Sequence, residues 1–171
     1  MFNVPVDVTD TTRAPIQKAM EDLVRGESRR LYAIAFSILQ DPGEAEDAVQ
    51  ETLISAWSKW SWAAGTGPTS SWLTRVCVNE CMNRRRTRLR QTRLAETAAS
   101  REMWSDDRPA TDLDLARAYV HLSKQQRAAV ALHYFYGYTL DECAELLGTR
   151  PGTVRSHIAR ALVTLRGAVS A

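Results

Sequence analysis

No uninterrupted apolar run in the chain approaches the roughly 20 residues a helix needs to cross a bilayer, so membrane insertion is not expected. Cysteine is scarce too. Cys77, Cys81 and Cys143 are an odd number, and no secretory h-region is present, which argues against a disulfide framework and for a reducing cytoplasm. Cys77 and Cys81 stand at i and i+4, a spacing open to a metal or redox pair and also to small thiols on a buried helix face. His121, His133 and His157 are spread without metal-ligand spacing. There is also no Ser/His/Asp set and no phosphate-cradling glycine loop. An enzyme is therefore the least expected class, and no cofactor is expected.

What is present is enough apolar side chain for real cores, 44% of 171 residues. The net charge of +2 hides a division along the chain. Residues 1–60 are acidic in balance, 61–93 carry seven cations against one acid, 94–121 are acidic again, and 122–171 are basic. Two basic zones separated by an acidic one suit a protein that touches a polyanion at two places and something else in between.

The periodicity is helical almost throughout. Residues 1–15 read as a loose leader. Ile16, Ala19, Met20 and Leu23, then Leu31, Ile34, Ala35, Ile38 and Leu39, predict a long helix with a weak point or break at Gly26. Asp41 and Pro42 form a start signal, cap and first helical position, for a second helix to about Trp60. Its expected inner face is Ala45, Ala48, Val49, Leu53, Ala56 and Trp57, and its outer face is the stripe Glu44, Asp47, Gln50, Glu51 and Ile54. Such a stripe is either merely solvated or the complement of a basic protein groove.

Trp57, Trp60, Trp62 and Trp72 frame a Gly, Pro, Ser and Thr-rich loop over 63–71, a plain connection or a pocket for an unstacked base. A third helix turns Trp72, Leu73, Val76, Cys77, Cys81 and Met82 inward and lines up Arg75, Asn79, Asn83 and Arg86 on another face. Asparagine is a mediocre helix former, and its amide can pair with base edges. The helix runs into Arg84, Arg85, Arg86 and Arg88, within a stretch to residue 93 that has six arginines and no acid. That density calls for phosphates. Residues 94–112 are small, polar and acidic, an interdomain linker.

After a short helix over 113–121, Ser123 caps another that carries Arg127, Val130, Ala131, Tyr134 and Phe135. Residues 138–165 then read as a helix-turn-helix. Leu140, Cys143, Ala144 and Leu147 line the first helix and Gly148 ends it. Val154, Ile158, Ala161, Leu162 and Leu165 line the second, whose outer face holds Arg155, Ser156, Ala159, Arg160 and Val163. A slim cationic helix suits the major groove; a surface hairpin with solvated arginines is the plainer alternative.

In order and spacing, LYAIAFSILQDPGEAEDAVQETLISAW, SSWLTRVCVNECMNRRRTR and LSKQQRAAVALHYFYGYTLDECAELLGTRPGTVRSHIARAL resemble the extracytoplasmic-function (ECF) sigma factors of bacterial RNA polymerase. The resemblance implies an all-α fold of two small helical domains, a sigma region 2-like unit over 16–93 and a region 4-like helix-turn-helix unit over 113–171, joined by the linker. It further implies that Asp47, Gln50 and Glu51 bind the clamp helices of the polymerase largest subunit. Trp72, Asn79, Asn83 and the arginines at 84, 85, 86 and 88 would meet minus-10 DNA, and Thr153, Arg155, Ser156, Ala159 and Arg160 would meet the minus-35 element. Core polymerase, promoter DNA and an anti-sigma factor are the implied partners. The chain departs from the family pattern at Ser123 (usually Pro), Cys143 (usually Ile), Asn83 (often Asp) and His157 (commonly Arg or Lys). A stand-alone helix-turn-helix regulator without polymerase contact is the alternative.

Overall fold

The computed structural model describes residues 9–59, 69–83 and 110–169, and these form helices and short turns with no strand among them. The first module holds α1 (Thr9–Leu39), α2 (Pro42–Lys59) and α3 (Ser70–Asn83). The second holds α4 (Ala110–His121), α5 (Lys124–Val130) continued by a π turn (Ala131–Phe135), α6 (Leu140–Leu147) and α7 (Pro151–Val169).

Helix α1 differs from expectation at both of its predicted limits. It begins at Thr9, inside the expected leader, and it passes through Gly26 without a break. A glycine inside a helix costs only about 1 kcal/mol relative to alanine, and the packed stripe that follows outweighs it. That stripe is Leu31, Ile34, Ala35 and Ile38, each fully buried. The α1–α2 corner follows the local signals closely. Gln40 takes a left-handed φ of 58° and folds its amide back onto the carbonyls of Phe36 and Ser37, while the Asp41 carboxylate accepts the Glu44 N–H at 2.8 Å.

Helix α3 is seated by its first turn. Thr69 Oγ1 accepts the Trp72 N–H at 3.2 Å. Arg30 of α1 donates to Ser70 Oγ at 2.7 Å and to Thr74 Oγ1 at 2.9 Å, and its other edge is held by Glu27 at 2.7 Å. The buried face is Leu73, Cys77, Val78 and Cys81 against α1 and α2. Each such aliphatic side chain removed from water contributes roughly 1.5–3 kcal/mol. The two thiols are thus core groups, and Cys77 Sγ reaches the Leu31 carbonyl at 3.7 Å. Among the described residues no cluster of His, Cys, Asp or Glu could hold a metal.

In the second module α4, α5 and α6 all pack on α7. Capping boxes open two of these helices. Ser123 pairs reciprocally with Gln126, and Thr139 with Glu142. The π turn shifts the phase of the helix after Val130, and Tyr134 and Phe135 stand 55% and 59% exposed while Val130 and Ala131 are buried.

The modules also share a core. Ala128, Ala129 and Leu132 from the second module, with Cys143, Ala144 and Leu146 of α6, join the cluster that contains Leu31, Ile38, Leu73 and Cys81. Helix α6 lies on α3, and α5 lies on α1. A smaller satellite core, Ala118, Leu122, Val130, Ala161 and Leu165, belongs to the second module alone.

Candidate polymerase and promoter interfaces

Three exposed polar faces stand on this frame, one on each of α2, α3 and α7. On α2, Ala45, Ala48, Val49, Thr52 and Ala56 are buried, and Asp47, Gln50 and Glu51 are exposed together on the opposite side. Ile54 is 59% exposed beside them. Trp57, expected inside, is 44% exposed. Helical phase explains it: at 100° per residue Trp57 stands about 120° from Ala45 but only about 20° from Gln50, so it borders the acidic row. The face is therefore acidic with two large apolar groups. That composition suits a protein groove better than solvent does.

On α3, Asn79 and Asn83 are exposed in line with Ser71 and Arg75. Trp72 is half-buried, with the Lys59 ammonium 5.8 Å from its ring centre, a cation–π arrangement that also orients the indole. The arginines at 84, 85, 86 and 88 and most of the 63–71 loop, with Trp60 and Trp62, lie outside the described residues.

The turn between α6 and α7 is a Schellman motif. Gly148 takes a left-handed φ of 61°, its N–H donates to the Glu145 carbonyl, and the Thr149 N–H donates to the Ala144 carbonyl at 2.9 Å. Pro151 then occupies the first position of α7, where its missing N–H costs nothing. Val154, Ile158, Ala161 and Leu165 bury the inner side. Thr153, Arg155, Ser156, Ala159 and Arg160 are all exposed on the outer side, in the first turns of the helix. The Ser156 hydroxyl donates to the Gly152 carbonyl at 2.9 Å, which leaves its lone pairs turned outward. Among the described residues no carboxylate pairs with Arg155 or Arg160. Slim side chains flanked by uncompensated arginines at a helix N-terminus match what duplex DNA requires of a groove-reading helix.

Several groups beneath these faces have shifted ionisation. The Glu142 carboxyl is held below the usual range, first by the Thr139 backbone N–H and then by its hydroxyl. Burial pushes the Cys143 thiol up to about 11. Burial also raises the Tyr119 and Tyr136 phenols. The Cys77 thiol is lowered, chiefly by its hydrogen bond with Cys81.

Fold and faces together define a two-module helical protein of the helix-turn-helix DNA-binding class with a separate exposed acidic face. Residues 23–91 match the Sigma-70 region 2 family and residues 112–165 match Sigma-70, region 4. The ECF RNA polymerase sigma factor SigM of Mycobacterium tuberculosis is 33% identical over 151 residues, covering 86% of this chain and 75% of that protein. SigL of the same species is 31% identical over 142 residues, 80% of each chain. Among solved structures, the sigma factor RpoE from Bartonella quintana, crystallised with the anti-sigma factor NepR, superimposes with a TM-score of 0.62 at 27% identity, over 90% of this chain and 98% of that one. CnrH, solved in complex with the cytosolic domain of CnrY, shares the fold with a TM-score of 0.60 at 23% identity, over 94% of this chain and 93% of that one.

The chain belongs to the ECF sigma factors of bacterial RNA polymerase. It is a polymerase-binding, promoter-specific initiation factor and not an enzyme, and the match to region 2 sets aside the reading as a stand-alone regulator. Among the described residues no helix is long and apolar enough to cross a membrane.

Proposed function

We propose that the three exposed faces divide the work of initiation. The α2 face, Asp47, Gln50 and Glu51 with Ile54 and Trp57 beside them, docks on the clamp helices of the polymerase largest subunit. Helix α3 presents Trp72, Asn79 and Asn83 to the melted minus-10 element, with the arginines at 84, 85, 86 and 88 on its backbone. Helix α7 reads the duplex minus-35 element, Thr153, Arg155, Ser156 and Ala159 facing base edges and Arg160 a phosphate. The units doing this are 16–93 and 113–171, joined by 94–112. No bond is made or broken; unstacked bases gain aromatic and amide partners, and that binding energy drives strand separation.

The observation that carries this reading is the coincidence of an acidic, partly apolar face on α2 with two slim, polar helix faces on α3 and α7, all exposed over shared packing. The protein acts in the cytoplasm. An anti-sigma factor, the kind of partner present in the RpoE structure, regulates it by covering these faces.

The test is to reverse charge on α2. Asp47→Lys with Glu51→Lys places like charges against a basic groove at a cost of several kcal/mol. Core polymerase binding, followed by pull-down or anisotropy, should fall more than a hundredfold, while thermal stability stays near that of the parent. Unchanged polymerase affinity would remove the assignment.

A further inference from the structure

The crest of α7, its side farthest from the core, carries one bulky apolar side chain. At 100° per residue Val163 stands about 180° from the fully buried Val154 and about 20° from Gly152 and Ser156, so it points directly away from its own module. It is 71% exposed and belongs to neither hydrophobic cluster. Valine is also a poorer helix former than leucine or arginine, because branching at Cβ restricts its rotamers in a helix. Neither packing nor helix propensity accounts for its place.

Its neighbours suit a groove. Ser156 and Ala159, earlier on the same side, are short and exposed. Arg160 and Arg166, three residues before and after Val163, are exposed about 60° to either side of it. Helix α7 contains no acidic residue, so these arginines keep their charge for phosphates. With arginines along both walls and only short groups ahead of it, the isopropyl group of Val163 faces the groove floor. From Ser156 to Val163 the helix rises about 10.5 Å, which spans about two or three base steps.

Valine has no donor and no acceptor. In the major groove guanine shows two acceptors, adenine an acceptor and an amino group, and cytosine an amino group; thymine alone adds an apolar group, its C5-methyl. Against a polar base edge Val163 would displace water and return no hydrogen bond. Against thymine it buries a methyl. The contact therefore favours one base and penalises the other three.

We infer that Val163 reads a thymine methyl in the minus-35 element, about two or three base pairs from the pair met by Ser156, with Ala159 lining the same apolar strip. This rests on the reading of α7 given above. It deepens that reading by adding a specificity-determining residue that works without a polar group.

The test uses the holoenzyme, core polymerase with the full chain, on a minus-35 duplex selected from a randomised library, with deoxyuridine replacing each thymine in turn. Deoxyuridine lacks only the C5-methyl. The parent should lose about fourfold in affinity at one such position, the effect of one buried methyl, and that position should differ from the one relaxed by Arg155→Ala. In Val163→Ser both the thymine selection and the deoxyuridine effect should vanish there. The melting temperature of the free chain and the salt slope of binding should not change, because serine matches valine as a helix former and an apolar contact releases no counterion. Deoxyuridine that binds like thymine at every position overturns the inference, as does an equal loss in Val163→Ser or an element with no selected thymine. A holoenzyme that selects no minus-35 sequence at all removes the reading of α7 itself; selection that still depends on Arg155 but shows no methyl effect removes Val163 alone.

Discussion

Helix α3 packs on α1, α2 and α6, and α7 packs on α4, α5 and α6, yet the two helices leave different amounts of their surface exposed. Both carry a line of short polar side chains, but the lines differ in width and charge. On α3 the exposed line is narrow, Ser71, Arg75, Asn79 and Asn83, with two neutral amides and one arginine that is ion-paired with Glu145 at 3.6 Å. On α7 most of the outer half is exposed, Arg155 and Arg160 flank it, and even Val163 is 71% exposed. A helix that enters a groove must stand clear of its neighbours and carry charge for phosphates. A helix that holds an unpaired strand is better served by rigidity, because the bases come to it.

The largest expected effect breaks this contrast at the core. Leu73→Ala on the buried side of α3 should cost about 2–5 kcal/mol, as cavities in packed cores do, while Val163→Ala on α7 should stay within about 0.5 kcal/mol of the parent in urea unfolding. Comparable losses at the two sites would abolish the distinction. Next comes DNA. Arg155→Ala should weaken minus-35 duplex binding by the polymerase complex about 10–100-fold and relax base preference there, with Asn79→Ala leaving that duplex affinity unchanged. Footprinting at the two elements separates these outcomes. For Arg160→Ala, a phosphate role predicts uniform weakening across sequences and a salt slope smaller by about 1.

Much of this arrangement was legible where local rules govern. Asp41 and Pro42 start α2, Ser123 starts α5 and Gly148 ends α6 because cap chemistry depends on a few adjacent residues. The inner face of α7 followed from helical period, while the buried Thr74 and Val78 of α3 and Leu146 of α6 lie beside the expected stripes. Gly26 misled because propensity is weak beside the packing of Leu31, Ile34 and Ile38. Trp57 misled because hydrophobicity was allowed to outweigh phase, and the angular arithmetic in the sequence would have placed it beside Gln50. The Thr139 and Glu142 capping box was also present as a sequence signal. The shared core was not legible: periodicity says which face of a helix is apolar, and nothing local says that Ala128, Leu132 and Ala144 meet Leu31 and Leu73.

Smaller effects sharpen the contrast from α6, the helix between the two readers. Thr139→Ala removes the hydroxyl half of its capping box, keeps the backbone N–H bond to the Glu142 carboxylate, and should lower stability by about 1 kcal/mol by thermal melting. Cys143, buried in α6 with its thiol raised to about 11, binds its proton more tightly folded than unfolded. Its contribution is complete below the ordinary thiol value, near pH 9, and is lost as pH rises through about 11. Denaturation midpoints should accordingly fall between those pH values, and Cys143→Ala should flatten that slope.

The account turns on two helices reading two elements for one polymerase. Run-off transcription with purified core polymerase, on a template library randomised at both elements, tests it most directly. Transcripts should require the chain, Asn79→Ala should change selection at minus-10 alone, and Arg155→Ala should change it at minus-35 alone. Transcripts that do not depend on the chain, or substitutions that both alter the same element, would contradict it.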